Sequence, residues 1–220
     1  MTLRARLHTG LWAAGLRHSH VLVLRCPVGP APPGGTGGEL RDFGRDEAGV
    51  RALNDALVRG LSPVAIANRL ERGLHFCALP EEGRPLATTW IIPRGERFLE
   101  ELGLGFALPE DGLWLRDVFV PPAERGRGRF ASLLDAVRRR WPERAVLWSD
   151  VRHGNARSLR AHRGYGFEVV GRFEAVHLFS RVLVRLRWSG GLPLASDWNG
   201  ERRVALSGER YRLFARPRRA

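Results

Sequence analysis

From Leu113 to Arg140 the chain reads as a strand, a double proline, a turn of glycine and arginine, and a helix, one directly after another. Leu113–Val120 has the β-branched and aromatic content of a strand and stops at Pro121-Pro122, which lack the N–H that a ladder needs. Glu124–Arg129 forms the turn. From Arg129 to Arg140 the spacing of Phe130, Leu133, Leu134, Val137 and Trp141 is that of one core-facing helical stripe, closed by Pro142. The first turn of such a helix has N–H groups without helical partners and carries the positive end of the dipole. Gly126 and Gly128 let the backbone come close to an anion, and Arg125, Arg127 and Arg129 add charge-assisted bonds. The turn is therefore a candidate phosphate or pyrophosphate site. Neither GxGxxG nor GxxxxGK[ST] occurs there, so a dinucleotide or nucleoside triphosphate lacks its motif. The plain alternative is an ordinary strand-to-helix turn in an arginine-rich chain.

Around this segment the pattern alternates between strands and helices. Residues His20–Val28 read as a strand, and the run Gly29–Gly38, rich in proline and glycine, as a link or surface loop. Asp46 opens a helix with Val50, Leu53, Leu57 and Val58 on one face, ending at Gly60. Ser62 followed by Pro63 is an N-cap with proline at the first helical position, starting a helix to about Arg72 whose apolar face is Val64, Ile66, Ala67 and Leu70. Leu74–Leu79 and Leu86–Ile92 read as a hairpin, and 93–112 as an irregular insertion or lid. Ala145–Ser149 is a short strand, Asn155–Arg163 a helix capped by Asn155, and Phe167–Phe173 and Arg181–Trp188 are strands. A last hairpin is expected at Arg203–Leu206 and Arg210–Ala215. The order predicts an α/β fold with a mixed, mostly antiparallel central sheet flanked by helices. Three regions are expected: 1–40 with the first strand and the Pro/Gly-rich segment, 41–190 as the main domain, and 191–220 as a C-terminal extension.

Composition narrows the function classes. The formal charge of +13 points toward anionic partners, but all 36 basic residues are arginines spread over the chain, and Lys and Gln are absent. This spread argues for a coding bias and places nucleic-acid binding behind the other readings. Cys26 and Cys77 form no CxxC pair, so neither a disulfide framework nor a cysteine zinc site is expected, and no metal is invoked. No apolar run nears the ~20 residues of a membrane span. The expectation is a cytoplasmic protein without membrane contact.

One strand beyond the turn lies Asn155-Ala156-Arg157-Ser158, followed by Gly166-Phe167. Val118-Phe119-Val120-Pro121 with Arg125 and Gly128, then Asn155, Ser158, Gly166 and Phe167 in register, resembles the two signature segments of the GNAT acyltransferases. The resemblance covers about 113–175 closely and 41–190 loosely. It implies a GNAT-like acyl-CoA N-acyltransferase fold, with acetyl-CoA or another acyl-CoA as cosubstrate. It further implies that backbone groups of Val118 and Val120 pair with the pantetheine arm. By the same resemblance, the N–H groups from Arg127 through Gly128, Arg129 and Phe130 to Ala131 cradle the pyrophosphate. Arg125 and Gly126 belong to the same coenzyme-binding turn, and Asn155 and Ser158 contact the coenzyme from the following helix. Two departures stand out. Phe130 replaces the family's Gly or Ala, and His162 stands where many relatives carry a Tyr that protonates the leaving thiolate.

Acyl transfer to an amine needs a base for the ammonium proton and benefits from an acid for the thiolate. His162 is the candidate acid, since an ordinary histidine titrates near 6.5; its bland reading is a packing or surface histidine. Tyr165 is a weaker substitute. Asp117 is the candidate base or contact to a substrate amine. Strand alternation sets it with Leu113, Leu115 and Phe119, apolar neighbours that would raise its pKa, and a salt bridge to an arginine is the alternative. Asp150 and His153 are weaker candidates on a loop, while Trp90, Trp114 and Trp148 read as core or cleft wall. The reading is an N-acetyltransferase acting on an amine of a small molecule or peptide, with primary amines, aminoglycosides, amino-sugars and peptide N-termini all open. The alternatives are a catalytically weak acyl-CoA-binding module and, behind it, a basic nucleic-acid-binding protein. The final strands are the candidate surface for a homodimer.

Overall fold

Three of the four described helices begin where a side-chain oxygen closes their first turn. α1, Glu47–Ala56, starts behind Asp46, whose Oδ1 accepts from Gly49 N at 2.9 Å. α2, Pro63–Glu71, starts behind Ser62, whose Oγ accepts from Ala65 N at 3.2 Å, with proline at the first position. α3, Arg129–Arg140, follows Gly128 and has no side-chain cap. α4, Ala156–Tyr165, starts behind Asn155, whose Oδ1 accepts from Ser158 N at 3.1 Å. These are the four helices the sequence patterns predict. The structure, a computed structural model, describes residues 16–28, 38–57, 59–99, 104–178, 181–187, 202–207 and 210–215. The Pro/Gly-rich run at 29–37, Val58 and the turn at 208–209 lie outside them.

The strands are β1 Leu16–Pro27, β2 Arg41–Asp42, β3 His75–Glu81, β4 Arg84–Ile92, β5 Glu96–Leu99, β6 Leu104–Ala107 and β7 Gly112–Phe119. They continue as β8 Val146–Arg152, β9 Glu168–Leu178, β10 Arg181–Arg187, β11 Arg202–Ser207 and β12 Arg210–Ala215. The chain divides into two compact units. In the first, Cys26–Gly95 with Glu110–Ser149, the strand order is β8-β7-β4-β3-β2. Pairing is antiparallel except for β7 with β8. The β3–β4 hairpin turns on Glu82 and Gly83, both at positive φ (50° and 77°), as the tightest hairpin turn requires. Phe76 packs on Trp90 with centroids 5.0 Å apart, and Trp114 stacks on Trp148 at 6.3 Å. All four rings are buried, so the tryptophans are core. Leu133 and Ala136 of α3 close on Leu79, Leu86 and Ala87, and the half-buried Val118 and Val120 pack against that cluster. Leu134, Val137 and Trp141 are buried as the stripe predicts, while Phe130 is half-buried. Val64 departs from its expected place. At 69% exposure it lies off the buried face of α2, which Ile66 occupies, because the short helix offers only part of its circumference to the sheet.

In the second unit, Met1–Arg25 with Glu96–Pro109 and Asp150–Ala220, β9 pairs antiparallel with β1 and with β10. The segment expected to be irregular, 93–112, instead supplies the hairpin β5–β6, and β6 pairs in parallel with β11. Each of these strands is four residues long, too short for a period-two pattern to show. β11 and β12 form the expected terminal hairpin. Phe106 meets Phe173 edge-on at 5.4 Å. Among the described residues no helix is long and apolar enough to cross a membrane.

Candidate functional site

The parallel pairing of β7 with β8 runs from Gly112↔Val146 to Leu115↔Ser149 and goes no further. Ser149 Oγ donates to the Leu115 carbonyl at 3.4 Å, at the last rung. Beyond it, β7 stays paired only with β4, and the register between them slips: Trp90 faces Arg116 while Thr88 faces Phe119. Two steps on β4 match three on β7, so β7 carries a bulge, and Asp117 sits in it at φ 53°. The bulge overturns the simple alternation expected through Asp117, because one extra residue shifts the side chains that follow.

After Val120 the chain forms a single 3₁₀ turn, Pro122–Glu124. Gly126 (φ 77°) and Gly128 (φ 72°) then reverse it into α3. A Cβ at either glycine would meet no atom within 4 Å, so the left-handed backbone, not crowding, calls for glycine here. Ser132 N donates to the Gly128 carbonyl at 3.1 Å, the first bond of the helix. α1, α2 and α4 are closed by an Asp, a Ser and an Asn side chain; α3 is closed by none. Its first turn, Arg129-Phe130-Ala131, presents backbone N–H groups in the manner of an anion site.

The three arginines of the turn do different work. Arg125 Nε donates to the Val120 carbonyl at 3.1 Å and ties the turn to the end of β7. Arg129 Nε lies 3.1 Å from Glu124 Oε2 and its Nη2 3.2 Å from Glu81 Oε2, which clamps the turn to the β3–β4 hairpin. Arg127, with its side chain 63% exposed and 3.6 Å from Glu124 Oε1, is the one that can swing onto a ligand.

Asp117 does not lie in the apolar surroundings expected for it. Arg69 Nη1 is 2.8 Å from Oδ2 and Arg116 Nε 3.7 Å from the same oxygen. Burial pushes its pKa up, but the charges of Arg69, Arg116 and Arg59 outweigh burial and hold the carboxyl below the usual range. The expected raised pKa is thus corrected: this carboxylate is ionised and salt-bridged, a weak base. Arg59 donates from Nη2 to the Asp117 carbonyl and from Nη1 to Thr88 Oγ1, both at 2.9 Å. Sequence patterns gave no hint of Arg59 or Arg69, which lie in a loop and on α2, far along the chain from Asp117.

In the second unit Asn155 spends its side-chain oxygen on capping α4, and Ser158 supplies the capped N–H. His162 is 2% exposed, and its Nδ1 donates to the Ser158 carbonyl at 2.8 Å. Its ring meets Phe167 edge-on at 5.0 Å. Burial lowers its pKa, against smaller opposing effects of the Ser158 carbonyl and the Asp150 charge. With Nδ1 protonated, the neutral ring carries its lone pair on Nε2, the form of a base rather than an acid. The packing reading therefore describes His162 better than that of a neutral-pH proton donor. Tyr165 is half-buried against Phe167. Asp150 lies within β8, not on a loop, and is gripped by Arg97 through Nε–Oδ1 at 3.0 Å and Nη2–Oδ2 at 3.3 Å. His153 stacks on His20 at 4.1 Å.

The sequence profile of the acetyltransferase (GNAT) family matches residues 49–167, more than half of the 220-residue chain. The chain belongs to the GNAT family. No curated protein matches it. A GNAT acetyltransferase from Colwellia psychrerythraea shares its fold at 12% identity and TM-score 0.50, over 80% of this chain and 61% of that one. A conserved protein of unknown function from Staphylococcus epidermidis is similar at 8% identity and TM-score 0.51, over 80% and 68%. A GNAT-family protein from Novosphingobium aromaticivorans is 21% identical with TM-score 0.49, over 74% of this chain. The chain spans 66% of that relative's length and 61% of the Colwellia protein's. In this GNAT protein, the strand end, the glycine turn and α3 all fall inside the matched range.

Proposed function

We propose that this GNAT protein binds acetyl-CoA or another acyl-CoA and transfers the acyl group to an amine of a small molecule or peptide. The observation that carries the proposal is the N-terminus of α3. It alone among the four described helices opens on glycine with no side-chain cap, and it follows a strand whose parallel pairing with β8 ends at Leu115↔Ser149. The N–H groups from Arg127 to Ala131 suit a pyrophosphate, with Arg127 as the mobile countercharge. Val118 and Val120 put their side chains against the core cluster, which leaves the backbone edge of β7 to the pantetheine arm. The coenzyme would supply a thioester carbonyl, attacked by the amine nitrogen as the carbon–sulfur bond breaks and the thiol departs.

The chain's own contribution is binding and orientation rather than strong acid–base catalysis. Asp117 acts here as a fixed negative charge, and the ammonium proton passes to water before attack. The second reading is an acyl-CoA-binding module with little turnover, which is supported by the salt-bridged state of Asp117 and the burial of His162, both with pKa values below their ordinary ones. Thiol release from acetyl-CoA across primary amines, amino-sugars and peptide N-termini separates the two. Amine-dependent release establishes the transferase; tight binding without release establishes the module; no binding by calorimetry removes both.

A further inference from the structure

Asp117 lies among several arginines. Arg69 and Arg116 both approach its Oδ2, at 2.8 and 3.7 Å, and Arg59 holds its backbone carbonyl. Three guanidiniums therefore converge on one carboxylate. Arg59 is the unusual member. Its hydrogen-bond acceptors, Thr88 Oγ1 and the Asp117 carbonyl, carry no charge, and its Cζ lies 5.0 Å from the centroid of the Phe119 ring. Burial pulls its pKa down from the ordinary arginine range, against the opposing charge of the Asp117 carboxylate and with the help of the like charge of Arg69, so Arg59 shares its one nearby carboxylate with another cation. Holding a partly buried cation on neutral acceptors is costly, and it makes sense where an anion completes the arrangement.

The loop between α1 and α2 is built to keep Arg59 in that place. Asn54, 3% exposed, donates from Nδ2 to the Leu61 carbonyl at 3.2 Å, and its own carbonyl accepts from Arg59 N at 3.0 Å. Both ends of the loop are thus tied to one buried side chain and its backbone. Within the cluster the Asp117 side chain keeps 39% exposure, while Arg69 and Arg116 are mostly covered. Asp117 and Phe119 flank Val118 in the chain, so a group held at Arg59 lies beside the strand edge assigned above to the pantetheine arm.

We propose that this arginine cluster anchors the acyl acceptor, and that the acceptor is an amine carrying an anionic group, a carboxylate or phosphomonoester, which Arg59 binds. The inference rests on the transferase reading given above and names its substrate class. A guanidinium presents a planar fork that matches either anion, whereas a polycationic acceptor would meet like charge.

The test uses the full chain, acetyl-CoA and matched acceptors: amino acids against their amides, and O-phosphoethanolamine against ethanolamine. The anionic member of at least one pair is expected to show kcat/KM higher by about tenfold or more, the scale of one charge-assisted hydrogen bond. Which pair responds distinguishes carboxylate from phosphate. Arg59→Ala is expected to bring the ratio within that pair close to one, and Arg59→Lys to restore part of it, with the acetyl-CoA dissociation constant and the circular-dichroism melt recorded on the same samples. Equal or faster transfer to the neutral members overturns the proposal, and so does an Arg59→Ala variant that lowers both members alike. Absence of transfer to every acceptor overturns it as well; acetyl-CoA binding in that sample then shows whether the coenzyme reading survives without it.

Discussion

Gly128 and His162 show how much a single position decides in this protein. Gly128 sits at φ 72° in open space, so a substituted Cβ meets backbone strain of about 1–2 kcal/mol and no clash. Gly128→Ala should therefore lower the melting temperature by a few degrees, at about 2–4 °C per kcal/mol for a chain of this size. It should also weaken acetyl-CoA binding in calorimetry, because the first turn of α3 shifts; unchanged affinity would detach the turn from the coenzyme. His162 makes a different prediction. Burial sets its folded pKa below the ordinary 6.5, so the folded state takes up its proton later than the unfolded chain does. Its contribution to stability is complete above about pH 6.5 and declines as the pH falls through that value toward the folded pKa. The melting temperature should hold between pH 7.5 and 7 and drop toward pH 5. His20, whose pKa is lowered by burial and by His153, adds to the same slope. His162→Gln should make that slope shallower without abolishing it.

At the scale of elements, caps and clamps divide the labour between stability and binding. The Ser62 cap of α2 is a local bond whose removal costs about 1 kcal/mol, so Ser62→Ala should melt a few degrees lower and leave coenzyme affinity alone. The turn before α3 behaves the other way. Arg129 bridges the mostly covered Glu124 and the half-exposed Glu81, and the exposed half of that clamp contributes little to stability. The two pairs do fix the turn against the β3–β4 hairpin. Arg129→Ala should thus barely move the melt yet raise the acetyl-CoA dissociation constant, and a large stability loss with intact binding would refute the clamp. The β7 bulge belongs to this scale too: its extra residue turns Asp117 toward Arg59 and Arg69, an arrangement no regular strand would give.

For the molecule as a whole, ligand linkage offers the most direct check on the coenzyme. A ligand bound only by the folded state adds about 2.7 kcal/mol at a hundredfold excess over its dissociation constant. The melting temperature should climb with the logarithm of acetyl-CoA concentration, and a flat response up to millimolar ligand would sink the coenzyme proposal. Acid should act at the same scale in a second step. Asp42, hydrogen-bonded to His75 and Gly44, and Asp117 both have folded pKa values below the usual carboxylate range. The stability they contribute is present above about pH 4 and lost as the pH falls further. Two descending limbs, one below pH 6.5 from histidines and one below pH 4 from carboxylates, are the expected profile.

Local chemistry in the chain was enough to determine the helices, the long strands and the glycine turn before α3. Caps, prolines and glycines act within a few residues, and periodicity of 3.6 shows wherever an element is long enough. Arg129–Arg140 and the caps at Asp46, Ser62 and Asn155 are found where those signals lie. Tertiary structure alone decided what depends on distant partners. The hairpin at 96–107 is made of strands too short for a pattern, and β6 pairs with β11 from the far end of the sequence. Asp117 looked apolar-flanked along its strand, yet its charge state is set by arginines brought in from a loop and a helix. His162 had the right position in the motif, but its burial, which lowers its pKa, and its bond to Ser158, which opposes that, come from the fold. Electrostatics and desolvation are properties of three-dimensional neighbours, and a linear pattern does not contain them.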